Sequence, residues 1–308
     1  MIPVLLDVDT GVDDALALLL AARSPQLKVL GVTCVAGNVP LPQVVRNTLT
    51  VLDAAERADI PVAAGFGAPL VEPFRPATHV HGEDGLGLPD WPRSTRQPVT
   101  EHAVDFMAQI LREAEAPVTL IALAPLTNVA GLVRRHPELL ARIERIVSMG
   151  GSAFTGGNMT AAAEFNIGCD PEAAAIVYGS RTPITMYGLD VFRQVAVPAG
   201  DVERLANGNR SWSPLLGALL HYLQRRFELA DPGLGDAGAV AAVLLPEALT
   251  TRPYRVDIEL TGTHTRGMTV VDRRVRSQDA RAAAPPNADV AVAIDGAACA
   301  RLFVNALG

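Results

Sequence analysis

Short apolar runs bounded by Gly, Pro and Asp alternate with stretches of helical periodicity through about the first 190 residues. This alternation marks βαβ units laid on a parallel sheet. It predicts strands at Pro3–Val8, Val29–Val35, Pro61–Ala64, Val118–Leu123, Arg145–Met149 and Pro183–Tyr187. Between the first two strands, Asp13–Arg23 reads as a helix that is apolar nearly all round, so deep burial is expected, and Pro25 after Ser24 ends it. From Gly65 to Thr100 the pattern lapses into a Pro- and Gly-rich stretch holding His79, His81, Glu83, Asp84 and Trp91. A loop of that length is more often functional than merely connecting. Beyond Pro198, helices are predicted at Trp212–Leu229 and Ala237–Leu245. A hairpin-like pair, Tyr254–Leu260 and Gly267–Asp272, follows, then a final strand, Asp289–Ile294, and a helix. No composition break or internal repeat divides the chain. The expectation is one α/β domain over residues 1–308, with a mostly parallel, Rossmann-like sheet flanked by helices.

The polar positions that break this pattern concentrate at the first strand-to-helix corner, DVDTGVDDALAL. Asp7 and Asp9, two apart at a strand end, would share a face roughly 6 to 7 Å apart. Asp13 and Asp14 open the helix after the Thr10-Gly11 turn. At an effective dielectric near 20, a like-charge pair about 4 Å apart costs on the order of 4 kcal/mol, whereas a helix N-terminus returns roughly 0.3 to 1 kcal/mol per anion. A positive charge is therefore expected there. Oxygen donors without His or Cys favour a hard cation such as calcium or magnesium over zinc. The competing explanation is a capping cluster, although one Asp suffices for a cap.

Composition narrows the classes further. The 308 residues are 49% hydrophobic and carry a formal charge of -7 without long basic or acidic blocks. Neither nucleic acid nor an anionic membrane is an expected partner. The cysteines, Cys34, Cys169 and Cys299, are odd in number, far apart and in no C-x-x-C pair, which suggests a reducing compartment, the cytoplasm. The first residues lack a basic segment and no apolar run reaches about 18 residues, so neither signal peptide nor membrane span is expected. The N-x-S/T matches at Asn158 and Asn209 then carry no meaning.

In open α/β sheets, ligands lie beyond the carboxyl ends of the strands. Asp9, Gly37-Asn38, Ala124 to Asn128 and Gly150-Gly151-Ser152 each follow a predicted strand and would face one crevice. In the loop after Gly151, Asn158, Glu164 and Asn166 offer hydrogen bonds suited to vicinal hydroxyls. Glu164 and Asn166 would point the same way in an extended segment. Asn158 beside Gly157 is equally a turn former.

Two other motifs are set aside. Gly233-Leu-Gly235-Asp-Ala-Gly238 matches G-x-G-x-x-G, but no strand precedes it and no acidic residue stands about 20 positions on, so it is not a dinucleotide site. Asp236 there is either an N-cap of an apolar helix or a ligand. Asp7-Val8-Asp9 also resembles the D-x-D of haloacid dehalogenase-like phosphatases. Gly11 stands where that motif wants Thr or Val, and the sole lysine, Lys28, begins the second strand, far from the site.

Taken together, DVDTGVDDALAL, TCVAGN (33–38), HGEDGLG (81–87), LAPLTNVA (123–130), MGG (149–151), GNMTAAAEFN (157–166) and THTRGMTVVD (263–272) resemble the nucleoside hydrolases, calcium-dependent enzymes that cleave the N-glycosidic bond of ribonucleosides. The resemblance implies the fold expected above, assembled as a homodimer or homotetramer. It implies that Ca²⁺ is held by Asp9, Asp14, the Leu123 carbonyl and Asp236, with Asp7 supporting them from behind. A water on the ion would be the nucleophile and Asp9 its general base. Asp13, Asn38, Asn158, Glu164 and Asn166 would hold the ribose, with Asn38 close to the chemistry and His81 a substrate contact. One departure stands out. Members that accept inosine or uridine carry His before the last calcium Asp, and purine-preferring members carry Trp, whereas this chain has Gly235. His81, His221, Tyr222 and Arg225 are candidates to assist the leaving base, and a ribose or nucleoside binder without turnover is the alternative.

Overall fold

A computed structural model describes residues 1–274 and 284–308. Its strands are β1 (Ile2–Val8), β2 (Leu27–Cys34), β3 (Val62–Ala64), β4 (Val118–Ala122), β5 (Ile143–Met149), β6 (Ile184–Tyr187), β7 (Leu249–Ile258), β8 (Thr269–Asp272) and β9 (Ala288–Ile294). The helices before the second half of the sheet are α1 (Val12–Arg23), α2 (Leu41–Ala54), α3 (Thr78–His81), α4 (Ala103–Glu113) and α5 (Thr127–Arg135). Then come α6 (Phe165–Cys169), α7 (Pro171–Tyr178), α8 (Leu189–Phe192), α9 (Ala199–Ala206), α10 (Ser213–Phe227), α11 (Asp236–Leu244) and α12 (Gly296–Leu307).

The strands form one sheet in the order β3-β2-β1-β4-β5-β6-β9-β7-β8. All neighbours pair in parallel as far as β9, and β7 runs antiparallel to both β9 and β8. Winding proceeds outward from β1 in one direction and from β4 in the other. The switch point therefore lies between β1 and β4, and their carboxyl ends open the crevice where such sheets bind ligands.

Burial on both faces explains the unbroken apolar sequence of β1. Val4, Leu6 and Val8 join the larger core with α1, α10, α11 and α12, while Leu5 faces the core under α4, α5 and α7. The expectation for α1 holds: ten of its residues are buried, and it packs against α2, α10, α11 and α12. Ser24 caps it, just before Pro25.

Predicted and observed ends of the parallel strands agree within two residues. β7 departs more, beginning at Leu249 and not at Tyr254, because its first half pairs with β9 and only Arg255–Ile258 pair with β8. The stretch from Gly65 to Thr100 is irregular apart from the single turn α3. No described helix is long and apolar enough to cross a membrane.

Candidate active site

At the switch point the chain leaves β1 at Val8 and turns into α1, carrying Asp7, Asp9, Asp13 and Asp14. Asp13 and Asp14 open α1 as expected, but Asp7 and Asp9 do not lie two apart on one strand, because β1 ends at Val8 and each of the two finds its own partner. Asp7 points back into the sheet, where its Oδ1 accepts from Thr33 Oγ1 at 2.6 Å and from Asn128 Nδ2 at 2.8 Å. Burial pushes the Asp7 carboxyl up to about 7, against these two hydrogen bonds. Asn128, a side chain not singled out among the expected site residues, also donates to the Cys34 carbonyl at 3.0 Å and accepts from the Phe66 amide. It ties the ends of β1 and β2 to the following loop. Its position directly after a strand in LAPLTNVA was the only sequence signal for this.

Asp9 Oδ2 accepts the Asn38 backbone amide at 2.7 Å, and Oδ1 is buried without a partner among the described residues. Gly37 permits this, since a Cβ there would stand 2.0 Å from Asp9 Oδ2. Asp14 takes three hydrogen bonds: from the Asp9 amide at 3.3 Å, the Gly11 amide at 2.9 Å and Asn38 Nδ2 at 3.1 Å. The Gly11 contact closes the first turn of α1 in the manner of a capping box. Capping and site formation are thus the same act, so the two explanations of the acidic corner do not compete. Asp13 remains partly exposed and leans toward Asp236 across the gap to α11. One oxygen each from Asp13, Asp14 and Asp236 lies within 4.8 Å of the others.

Asp236 is the first residue of α11 and makes no capping bond, so the sequence's N-cap alternative for it fails. Gly235 is the cap residue, at φ +54° and ψ -122°. A Cβ at Gly235 would meet Asp13 at 2.8 Å and the Phe192 ring at 2.9 Å. Residue 235 can therefore carry no side chain in this arrangement. It lets α11 approach α1 closely enough to bring Asp236 to Asp13 and Asp14. Burial raises the pKa of Asp9, Asp14 and Asp236, and each is raised further by neighbouring carboxylates, Asp14 reaching about 7. Crowded buried acids of this kind need either protons or a cation. With every donor a hard oxygen, the cluster could bind a metal ion.

The expected sugar-side residues surround this cluster to different degrees. Asn38 is central, as described. Glu164 is buried, but it is not in an extended segment with Asn166. It caps α6, accepting from the amides of Gly151 at 2.9 Å, Asn166 at 3.0 Å and Ile167 at 3.1 Å. Burial raises its carboxyl, and its charge acts on Asp236. Asn166 sends its Nδ2 to the carbonyls of Leu123 at 2.8 Å and Met149 at 3.1 Å, tying the ends of β4 and β5 together. Leu123, just past β4, presents that carbonyl to the crevice. Asn158 is exposed, with Oδ1 accepting the Phe165 amide at 2.8 Å. It stands over the start of α6 without touching the carboxylates.

His81 ends α3 and is buried against Gly11, its Nδ1 accepting the Val12 amide at 3.1 Å and lying 3.9 Å from Asp13 Oδ1. Burial lowers its pKa, opposed by Asp13. The proton of the neutral ring is thereby placed on Nε2. Tyr222 donates its hydroxyl to the Val80 carbonyl at 2.9 Å, next to His81. His221 instead pairs with Glu203 of α9 at 3.0 Å, on the far side of α10, which removes it from the site. No contact places Arg225 at the site. Lys28 is exposed at the start of β2, at the end of the strand away from the cluster.

Comparison with known proteins agrees with this architecture. The family described as inosine-uridine preferring nucleoside hydrolase matches residues 4–301. The pyrimidine-specific ribonucleoside hydrolase RihA of Salmonella typhi is 42% identical over 299 residues, covering 96% of this chain and 94% of the relative. Among solved structures, the purine-preferring ribonucleoside hydrolase from Gardnerella vaginalis superposes with a TM-score of 0.91 at 31% identity, over 99% of this chain and 98% of that one. An inosine-guanosine nucleoside hydrolase gives 0.91 at 31% identity, over 100% and 99%.

Proposed function

The chain belongs to the inosine-uridine preferring nucleoside hydrolase family and is a ribonucleoside hydrolase, and from that premise we propose that it is a cytoplasmic, Ca²⁺-dependent N-ribohydrolase acting first on pyrimidine ribonucleosides. The observation that carries the calcium reading is the cluster of Asp13, Asp14 and Asp236, with the unpartnered Asp9 Oδ1 beside it. These oxygens suit a hard ion. Calcium would be held by Asp9, Asp14, Asp236 and the Leu123 carbonyl, and Asp13 is close enough to serve either the ion or the sugar. When bound, the ion supplies a Lewis acid that acidifies water and grips vicinal hydroxyls.

The remaining chemistry falls to the chain's own side chains. Cleaving a ribosyl C–N bond builds positive charge on the anomeric carbon and ring oxygen. Carboxylates already fixed by backbone amides stabilise that charge without reorganising. Asp9 is oriented by the Asn38 amide and made more basic by burial, so its carboxylate takes the proton of the attacking water. Asn38, Glu164, Asn166 and Asn158 hold the ribose, and His81 offers Nε2–H toward the substrate.

The pyrimidine inference rests on relatives named pyrimidine-specific at 42% identity, against 31% for the purine-preferring structure. The cytoplasmic assignment rests on three cysteines that are all free and buried. A homodimer or homotetramer is the expected assembly, and Phe154 and Val270 expose apolar surface along one groove that such contacts could cover.

The second reading, a riboside binder without turnover, is favoured by Gly235, which leaves no side chain beside Asp236 to protonate a departing base. Incubation with a panel of ribonucleosides, following free ribose with and without a chelator, separates the two. Calcium-dependent ribose release, largest with uridine or cytidine, supports the hydrolase. Thermal stabilisation by nucleosides without ribose release supports the binder.

A further inference from the structure

The segment from Gly150 to Asn166 delivers Glu164 and Asn166 to the crevice, yet its first half lies outside helix and strand, its own bonds including a Ser152–Thr155 turn in which Ser152 Oγ accepts the Thr155 amide at 3.1 Å. What fixes it is a side chain outside the cluster. Asp190, near the start of α8, accepts three successive backbone amides: Ala153 on Oδ2 at 2.7 Å, and Phe154 and Thr155 on Oδ1 at 2.8 and 3.1 Å. Consecutive amides converging on one carboxylate form an anion nest. The neighbouring Leu189 amide donates to the Gly151 carbonyl at 2.9 Å. From the other side, Thr269 of β8 both donates to the Ser152 carbonyl, at 2.6 Å, and accepts the Ser152 amide, at 2.9 Å. The loop is gripped at 151, 152, 153, 154 and 155 in turn.

This grip reaches the site through one shared atom. Glu164 Oε2 accepts both the Gly151 amide and the Ile167 amide of its own helix. Where Glu164 points therefore depends on where Gly151 sits, and Gly151 is two residues from the nest. The geometry points to Asp190 as a positioning residue for ribonucleoside binding, acting through Gly151 on Glu164, with Thr269 as its weaker counterpart on β8. The inference rests on the reading of Glu164 as a ribose contact, and its first test does not.

Backbone amide exchange is measured on the wild type, Asp190→Ala, Asp190→Asn and Thr269→Val without substrate. In Asp190→Ala, exchange at Gly151, Asn166 and Ile167 is expected to accelerate at least tenfold, together with that at 153–155. Asp190→Asn restores part of the protection, because its single amide oxygen still accepts. Acceleration confined to 153–155 overturns the coupling, as does loss of protection across the whole sheet. The second test is kinetic, on the calcium-loaded enzyme: KM for the ribonucleoside is expected to rise about tenfold in Asp190→Ala, and kcat to stay within about threefold. Thr269→Val, which keeps the shape, shifts KM in the same direction by less and answers the case in which Asp190→Ala fails to fold. An unchanged KM in a well-folded variant contradicts the inference. Absence of turnover in the wild type instead overturns the hydrolase reading and leaves the exchange result standing on its own.

Discussion

The two sides of the crevice are built differently. On the sheet side, Asp7, Asp9, Asp14, Asn38 and Asn128 are buried and bonded to one another or to adjacent backbone, with hydrogen bonds reaching across β1, β2 and the start of α1. On the side of α10 and α3, the polar groups clasp carbonyls of a long irregular loop: Tyr222 holds Val80, and Arg226 holds His79. The first side is a fixed frame whose charges are set before any ligand arrives, which suits an ion and a sugar that do not vary. The second is a loop pinned at a few points, with His81 at its inner end against Gly11 and the Val12 amide. A frame held by mutual hydrogen bonds thus faces a loop held at a few points.

The frame is tested most severely by Asp9→Ala, which removes the proposed base. Turnover is expected to fall on the order of 10²- to 10⁴-fold in a steady-state ribose assay. Because Asp9 is one of several repelling buried acids, Asp9→Asn should at the same time raise the melting temperature of the metal-free protein. A variant as active as the wild type would strip Asp9 of the role.

Next in size is the effect of the ion itself. Asp7 and Asp14, each at about 7 when folded against 3.8 for the free carboxyl, hold protons that the unfolded chain has released between those values. The native state then binds more protons than the unfolded state, so metal-free stability should fall as pH rises from about 4 to 7. Calcium removes the repulsion. Its stabilisation, read as a shift in melting temperature, should be larger at pH 8 than at pH 5, and an equal shift at both would separate the ion from these carboxylates.

Where α11 meets α1, Gly235→Ala places a Cβ against Asp13 and Phe192 at a positive φ. A cost of about 1 to 3 kcal/mol is expected from thermal unfolding. Gly235→His should be no milder, and should not supply a leaving-group acid. Smallest of all, Tyr222→Phe loses one hydrogen bond to the Val80 carbonyl, worth about 0.5 to 1.5 kcal/mol. The expected result is a few-fold rise in KM with little change in melting temperature. A large fall in kcat would move Tyr222 into the chemistry.

The difference between the walls also governs what could be read from sequence. Part of the frame was legible because its residues sit next to strand ends, Asp9 after β1 and Asn38 after β2, whereas the Leu123 carbonyl entered only through the family resemblance. Period and punctuation locate those positions without any knowledge of contacts. α1 was legible for the same reason, its all-round apolarity having no explanation except burial. Asn128 was placed only as the end of a run facing the crevice and Asp190 not at all, because their importance lies in the backbone groups they reach, Cys34 and Phe66 for one and residues 153–155 for the other, and those become neighbours only in the folded sheet. Glu164 was found for its carboxylate, but a cap of α6 is not the extended geometry that the E-F-N spacing suggested. His221 looked equivalent to Tyr222, one position along the chain, until helical rotation turned it toward Glu203. Gly235 appeared as a missing side chain, and its backbone angles and the closeness of Asp13 give the physical reason for the absence.

The central claim is that the acidic corner at the switch point binds one divalent ion through Asp14 and its neighbours. Titration calorimetry of calcium into chelator-treated protein measures this directly. One site per chain is expected, with binding lost in Asp14→Ala and retained in Tyr222→Phe. No heat of binding in the wild type, or an undiminished site in Asp14→Ala, would contradict the account.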